Sequence, residues 1–247
     1  MAGEGLRVGP RADGPVMQFR TVQLRTEQRM EHLLTSWQDL RDGRAVFLGT
    51  YALMTRAMVS QLEDGRFEDR AWVTELLDRF AGRYFDALDG FEAGRKDTPP
   101  VWADAHRAAV SGAAPPHRLL LAGVNAHINY DLVLTVAGLL AGSGGDPELR
   151  RGDYERVNDV IGATADAVQD EVLERWVPWT APVDRWLGRV DEWAAVRLLT
   201  SWRSAVWDQA VGLMQLPPVA QERVVVSLSQ RCCRRGRRIL GVSGGAS

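Results

Sequence analysis

Cysteine is nearly absent from this chain: Cys232 and Cys233 are the only two, adjacent to each other and far from any histidine in sequence. Their spacing fits neither a disulfide framework nor a zinc site, and thiol catalysis has no Cys-His pair to build on. Histidine is scarce too, with four residues, which argues against a His-rich metal centre. No Gly-rich phosphate loop follows a strand pattern and no Ser sits in a nucleophile elbow, so nucleotide hydrolysis and Ser-dependent acyl transfer are disfavoured. Net charge is small: 32 acidic against 30 basic side chains leave −2, so charge implies neither nucleic acid nor a membrane as partner.

Alternating apolar and polar runs of strand length are missing as well, and almost every segment between the tails has helical periodicity. The pattern predicts helices over 20–41, 44–63, 68–93, 100–111, 117–141, 152–176 and 189–215, with a further one near 219–240. Asp42-Gly43, Asp64-Gly65, Gly94, Pro99-Pro100, the Gly-rich loop at 142–145, Pro178 and Pro182 punctuate them. The expected fold is all-α, a single-domain bundle of about seven helices around a central helix near 117–141. Residues 1–18 read as a disordered lead, 19–215 as the helical domain and 216–247 as a basic helix or tail carrying Arg231, Arg234, Arg235, Arg237 and Arg238. The lead has no apolar run suited to a signal peptide, so a cytoplasmic location is expected.

The central helix carries the strongest signal. Leu119 to Leu140 is apolar except where Asn125, His127, Asn129 and Asp131 interrupt it in N-A-H-I-N-Y-D. At 100° per residue, Asn125 and Asn129 lie on one side, with His127, Asp131 and Thr135 roughly 160° away. A helix with two opposed polar ridges in an apolar background is surrounded by protein. The rival reading, a membrane span, would place Asp131 near the bilayer centre at a cost of about 2.5–3.5 kcal/mol. A core helix is preferred.

Projection of the neighbouring helices adds to this cluster. His106 lies beside Trp102 on an inward face, and Arg203 falls inside the apolar face of the late helix with Trp207. An inward guanidinium needs a carboxylate or an anionic ligand, and Asp131 is the expected partner. Tyr84 and Asn158 also face the core or its edge. Three readings stay open. His127 could be a general acid/base oriented by Asp131 beneath a cavity lined by some of the nine Trp. The cluster could be a structural polar knot. His127 and Asp131, at i and i+4, could with His106 hold a divalent metal.

Several motifs together resemble one family. They are F-x-x-x-Y-x-x-x-T at Phe47, Tyr51 and Thr55, R-F-A-G-R-Y-F-D-A-L at 79–88, V-W at 101–102, G-V-N-A-H-I-N-Y-D-L at 123–132, Y-E-R-V-N-D-V at 154–160 and W-x-x-x-V-W at 202–207. The likeness is to an uncharacterised, mainly actinobacterial helical family, catalogued only as a domain of unknown function, over about residues 44–210. Trp202-Arg203 departs from the Arg common at the start of the last motif. The resemblance implies a single helical domain with N-A-H-I-N-Y-D-L as its signature and implies no activity.

Asp86-x-x-Asp89 with Asn158-Asp159 and Asp166 superficially resembles the Mg-binding motifs of class I isoprenoid synthases, but the aspartates project away from their helices' core faces. The preferred reading is a small-molecule enzyme, a non-redox acid/base enzyme or cyclase of bacterial secondary metabolism. His127, Asp131 and Arg203 are the catalytic candidates, with Asn125, Asn129, Tyr130, His106, Trp102, Tyr84, Trp207 and Asn158 as substrate contacts. A small apolar or aromatic molecule is the expected partner, with no nucleic acid or membrane. No cofactor is expected, with a divalent metal as the alternative. The rival classes are a non-catalytic binding protein and a structural module.

Overall fold

The computed structural model describes residues 14–142, 147–171 and 190–242, of which none is in a strand. The lead before residue 14, the glycines after Gly142 and the stretch with Pro178 and Pro182 lie outside these residues. Eight helices are described: α1 Gly14–Leu40, α2 Arg44–Glu63, α3 Arg70–Glu92 and α4 Pro100–Ser111 precede α5 Pro116–Gly142. After it come α6 Pro147–Glu171, α7 Val190–Met214 and α8 Pro218–Leu240. The all-α, single-domain expectation is met.

Local chemistry explains most boundaries. Pro100, Pro116 and Pro218 occupy first-turn positions, where a missing N–H costs nothing. Gly112 and Gly241 end α4 and α8 in left-handed conformations, with φ of 61° and 75°. Three starts differ from the sequence expectation by more than one residue, α1 beginning at Gly14 rather than at 20, so that residues 14–18 of the expected disordered lead are helical. α6 begins at Pro147 rather than at 152, with Glu148 in its first turn, where an acid complements the positive end of the helix dipole. α3 begins at Arg70 rather than at 68 because buried Asp153 of α6 accepts from the Glu68 amide at 3.0 Å and the Asp69 amide at 2.7 Å. Asp69 then caps the helix by accepting from the Trp72 amide at 2.9 Å.

α5 is the hub. Its first half packs on α2, α4 and α8, its middle on α3, α7 and α8, and its last half on α3 and α7. It is also the one described helix long and apolar enough to cross a bilayer, yet 72% of its most apolar window is buried inside the protein. α5 is not uniform. Between Pro116–Ala126 and Val133–Gly142 runs a wider π-helical turn, His127–Leu132, which holds most of the polar motif. Such turns are rare and cluster at functional sites.

α8 is a wall of the same bundle. Leu228, Cys232 and Leu240 recur on one buried face that packs along α4 and α5. The basic segment set apart in the sequence therefore contributes to the core on one side and presents arginines on the other.

Candidate functional site

The two polar ridges of α5 meet different neighbours, as the projection requires. Asn125 donates from Nδ2 to the Cys232 carbonyl of α8 at 3.0 Å, and Asn129 donates to the Asn125 side-chain oxygen at 3.3 Å. Cys232 donates from Sγ to the Asn129 carbonyl at 3.2 Å, so α8 satisfies a backbone acceptor of the π turn. Burial pushes the Cys232 thiol up to about 11, so it stays a neutral donor. Tyr130, between the ridges, is only partly buried.

On the opposite side, Asp131 Oδ2 accepts from Trp102 Nε1 of α4 at 2.7 Å and pairs with His127 Nδ1 at 3.1 Å. Relative exposures of 1% for Trp102, 3% for His127 and 2% for Asp131 put the network out of reach of solvent. Thr135 anchors the same stretch by donating to the Asp131 carbonyl at 2.8 Å. An indole nitrogen only donates, so Oδ2 is an acceptor, and the network assigns the imidazole proton to Nδ1. Burial lowers the His127 pKa against the opposing pull of Asp131, which keeps the ring neutral. The Nε2 lone pair is then free, and Nε2 has no hydrogen-bond partner among the described residues.

Aromatic rings surround the imidazole. Phe80 of α3 lies flat on the imidazole, with centroids 3.5 Å apart and planes 11° from parallel. Tyr51 of α2 meets it edge-on at 4.5 Å, with Phe47, Trp102 and Tyr84 at 5.6, 6.0 and 6.2 Å. Gly123 makes this shell: a Cβ there would sit 2.6 Å from the Phe47 ring. Among the described residues two further buried polar atoms lack a partner nearby, the Tyr84 hydroxyl and, one ring further out behind Trp102, His106 Nε2. His106 stacks on Trp102 at 5.1 Å, and desolvation, aided by nearby Arg44, pushes its pKa down to about 3.

Arg203 is a correction. It does not pair with Asp131; Nε donates to Asn158 Oδ1 at 2.8 Å and a terminal nitrogen donates to the Tyr154 carbonyl at 3.2 Å. Its guanidinium also lies 4.5 Å over the Tyr154 ring, and the Tyr154 hydroxyl donates to the Arg203 carbonyl at 2.7 Å. The helix carrying Arg203 turns it toward α6 rather than the π turn, and neutral oxygens with a π face take the place of a carboxylate. Trp207 belongs to this second cluster, 5.1 Å from Tyr154 and 6.4 Å from Trp72. Arg203, Asn158 and Trp207 are thus grouped together, apart from the aromatic shell of His127.

The shell is also less tryptophan-rich than expected, with Trp102 as its single described Trp among Phe and Tyr. Among the described residues no three His, Cys, Asp or Glu side chains converge as a metal set, so His106 does not complete one with His127 and Asp131. Asp86 and Asp159 are exposed, and Asp89 is engaged with Arg29, so no diphosphate-binding pair forms from them.

In the sequence Phe80 reads as core, sharing a helix face with Tyr84 at i, i+4 within the R-F-A-G-R-Y-F motif, and nothing in that pattern sets it against His127. Tyr51 and Phe47 are likewise one turn apart on α2, a spacing that reads as ordinary core.

No curated protein and no solved structure matches this chain. A family does, and over more of the chain than its short motifs suggest: residues 25–242, from within α1 to the end of α8, match the family of unknown function DUF5995, to which this protein belongs.

Proposed function

We propose that this protein is a small-molecule enzyme in which His127 is the general acid/base and Asp131 its orienting partner. The observation that carries this reading is the free Nε2 of a neutral, buried imidazole whose Nδ1–H is held by a carboxylate. An unmet buried polar atom costs about 1–3 kcal/mol, and the Tyr84 hydroxyl in the shell and His106 Nε2 behind Trp102 repeat that cost among the described residues. A ligand with polar edges on an apolar body would offset it.

The chemistry that fits is non-redox proton transfer on a small apolar or aromatic substrate: isomerisation, cyclisation or elimination. Nε2 takes a proton from substrate, and the imidazolium so formed is stabilised through Nδ1–H by Asp131. Returning the proton to a different substrate atom completes the cycle with no external oxidant or reductant. Aromatic faces around the site can also stabilise a developing cation. Substrate must displace Phe80 from the imidazole, since the two rings are in contact. Trp102 positions Asp131, and Tyr84 and His106 supply polar contacts.

A second reading has one observation in its favour. At 3% exposure His127 is closed in, as a purely structural interlock would be. Incubating the purified protein with a metabolite extract and profiling products by mass spectrometry separates the two. The enzyme reading expects conversions that conserve substrate mass, or split it between two products, with rates about 10²–10⁴-fold lower in His127→Asn. A folded His127→Asn protein that performs the same conversions at the same rate overturns it.

A further inference from the structure

The outer face of α8 has a chemistry that neither the core nor the dyad uses. Residues 218–240 contain six arginines and one glutamate, in a chain whose net charge is −2. The charge is therefore segregated. With Leu228, Cys232, Gly236 and Leu240 buried at four-residue intervals, the 100° rotation per residue sends Arg223, Arg231, Arg234 and Arg238 to the opposite side, where all four are exposed. Arg237 is held by Asp104 at 2.9 Å and Arg235 lies 5.1 Å over Trp202, but among the described residues no carboxylate pairs with the outer four. Exposed Arg118 of α5 lies against Gly241 at the helix end.

Apolar side chains flank this ridge. Val219 and Val226 are 65% and 57% exposed on one flank, with Val224 on the other, and Val242 is 53% exposed just past the helix end. At about 1.5 Å per residue the ridge from Arg223 to Arg238 is roughly 22 Å long.

We propose that the outer face of α8 docks on an anionic lipid surface. Arginine forks match phosphate oxygens in pairs, and a ridge along one side of a single helix can lie against a plane with its charges engaged. The valines decide between anionic partners. Against a nucleic-acid backbone they would remain idle, and the ridge carries no aromatic ring on which bases could stack. At a lipid interface they enter the boundary between headgroups and acyl chains while the arginines reach the phosphates. Whole-chain charge does not oppose this, because screening confines the attraction to within about 10 Å of the ridge.

The test is co-sedimentation of the full chain with phosphatidylcholine vesicles, with and without phosphatidylglycerol. Binding is expected only to the anionic vesicles and should weaken as salt rises. Each arginine removed should weaken it about fivefold, so replacing Arg223, Arg231, Arg234 and Arg238 by Gln should cost several hundredfold. Circular dichroism of that variant should match the parent, because all four side chains are exposed; Arg234→Glu alone, more than tenfold weaker, serves if it does not. Val219→Ser with Val226→Ser should weaken vesicle binding at high salt. Equal binding to both vesicles, binding to neither, unchanged binding in the arginine variants, or displacement of the vesicles by duplex DNA overturns the proposal.

Discussion

Phe80 lies flat on the imidazole of His127, 3.5 Å between centroids and 11° from parallel. The contact joins α3 to the π turn of α5 and helps keep water from the ring, and burial is the main cause lowering the His127 pKa. Phe80→Leu keeps an apolar side chain but removes the flat cover. Stability should fall by about 1–1.5 kcal/mol, the cost of a near-isosteric swap with loss of an aromatic contact. The His127 pKa should rise toward its ordinary value as the ring gains solvent. An NMR titration of the imidazole checks this, and an unmoved pKa would mean that Phe80 is not what keeps the ring dry.

Arg203 and Asp131 belong to separate clusters, which a double-mutant cycle can read directly. Arg203→Leu leaves the Asn158 oxygen and the Tyr154 carbonyl without their donor and should cost about 1–3 kcal/mol. Combined with Asp131→Asn, the two losses should add to within about 0.5 kcal/mol. A coupling well above that in chemical denaturation would restore the pairing that the structure replaces.

That pairing shows where sequence reasoning stopped. Projection around one helix gives the direction of each side chain relative to its own axis, which is why the opposed Asn125/Asn129 and His127/Asp131 ridges could be read in advance. It does not say which neighbour stands in that direction. Arg203 does point inward, but it meets Tyr154 and Asn158 of α6. The π turn was unreadable for a related reason: an i→i+5 turn leaves no mark in an apolar periodicity averaged over a long helix. Helix starts set by tertiary contacts, such as Asp153 holding the Glu68 and Asp69 amides, were equally invisible, whereas the starts at Pro100, Pro116 and Pro218 were legible and the one at Pro147 was not.

Acid should destabilise this protein through its buried histidines before its carboxylates titrate. Burial lowers the folded-state pKa of both His127 and His106, the latter to about 3, whereas the unfolded chain titrates near 6.5. As pH falls below about 6.5 the unfolded state binds protons that the folded state does not, so stability is present above that value and is lost below it. The share of His106 in that slope should approach about 1.4 kcal/mol per pH unit. In urea titrations between about pH 6.5 and 5, His106→Leu should reduce that slope by one histidine's share. An unchanged slope would mean that His106 already protonates in the folded protein.

The most direct test of the dyad separates the charge of Asp131 from its geometry. Trp102 Nε1 and His127 Nδ1 address the same oxygen, Oδ2, so an asparagine with its amide oxygen in that place can accept both bonds. Asp131→Asn should therefore leave thermal stability within about 1 kcal/mol of the parent, consistent with retained hydrogen bonds. It removes the negative charge, and with it the attraction that opposes desolvation at His127. The imidazole pKa should fall further, and the imidazolium formed during proton transfer loses its counter-charge. Turnover of any mass-conserving reaction found for the parent should drop by about 10²–10⁴-fold, the contribution expected of one proton-transfer group. A structural knot predicts otherwise: activity of the folded variant would be unchanged, and only changes that break the two bonds, such as Asp131→Leu, would matter, through unfolding. Equal turnover in parent and Asp131→Asn, with an imidazole pKa that does not move, would remove Asp131 from the mechanism and leave His127 without the partner that makes it a base.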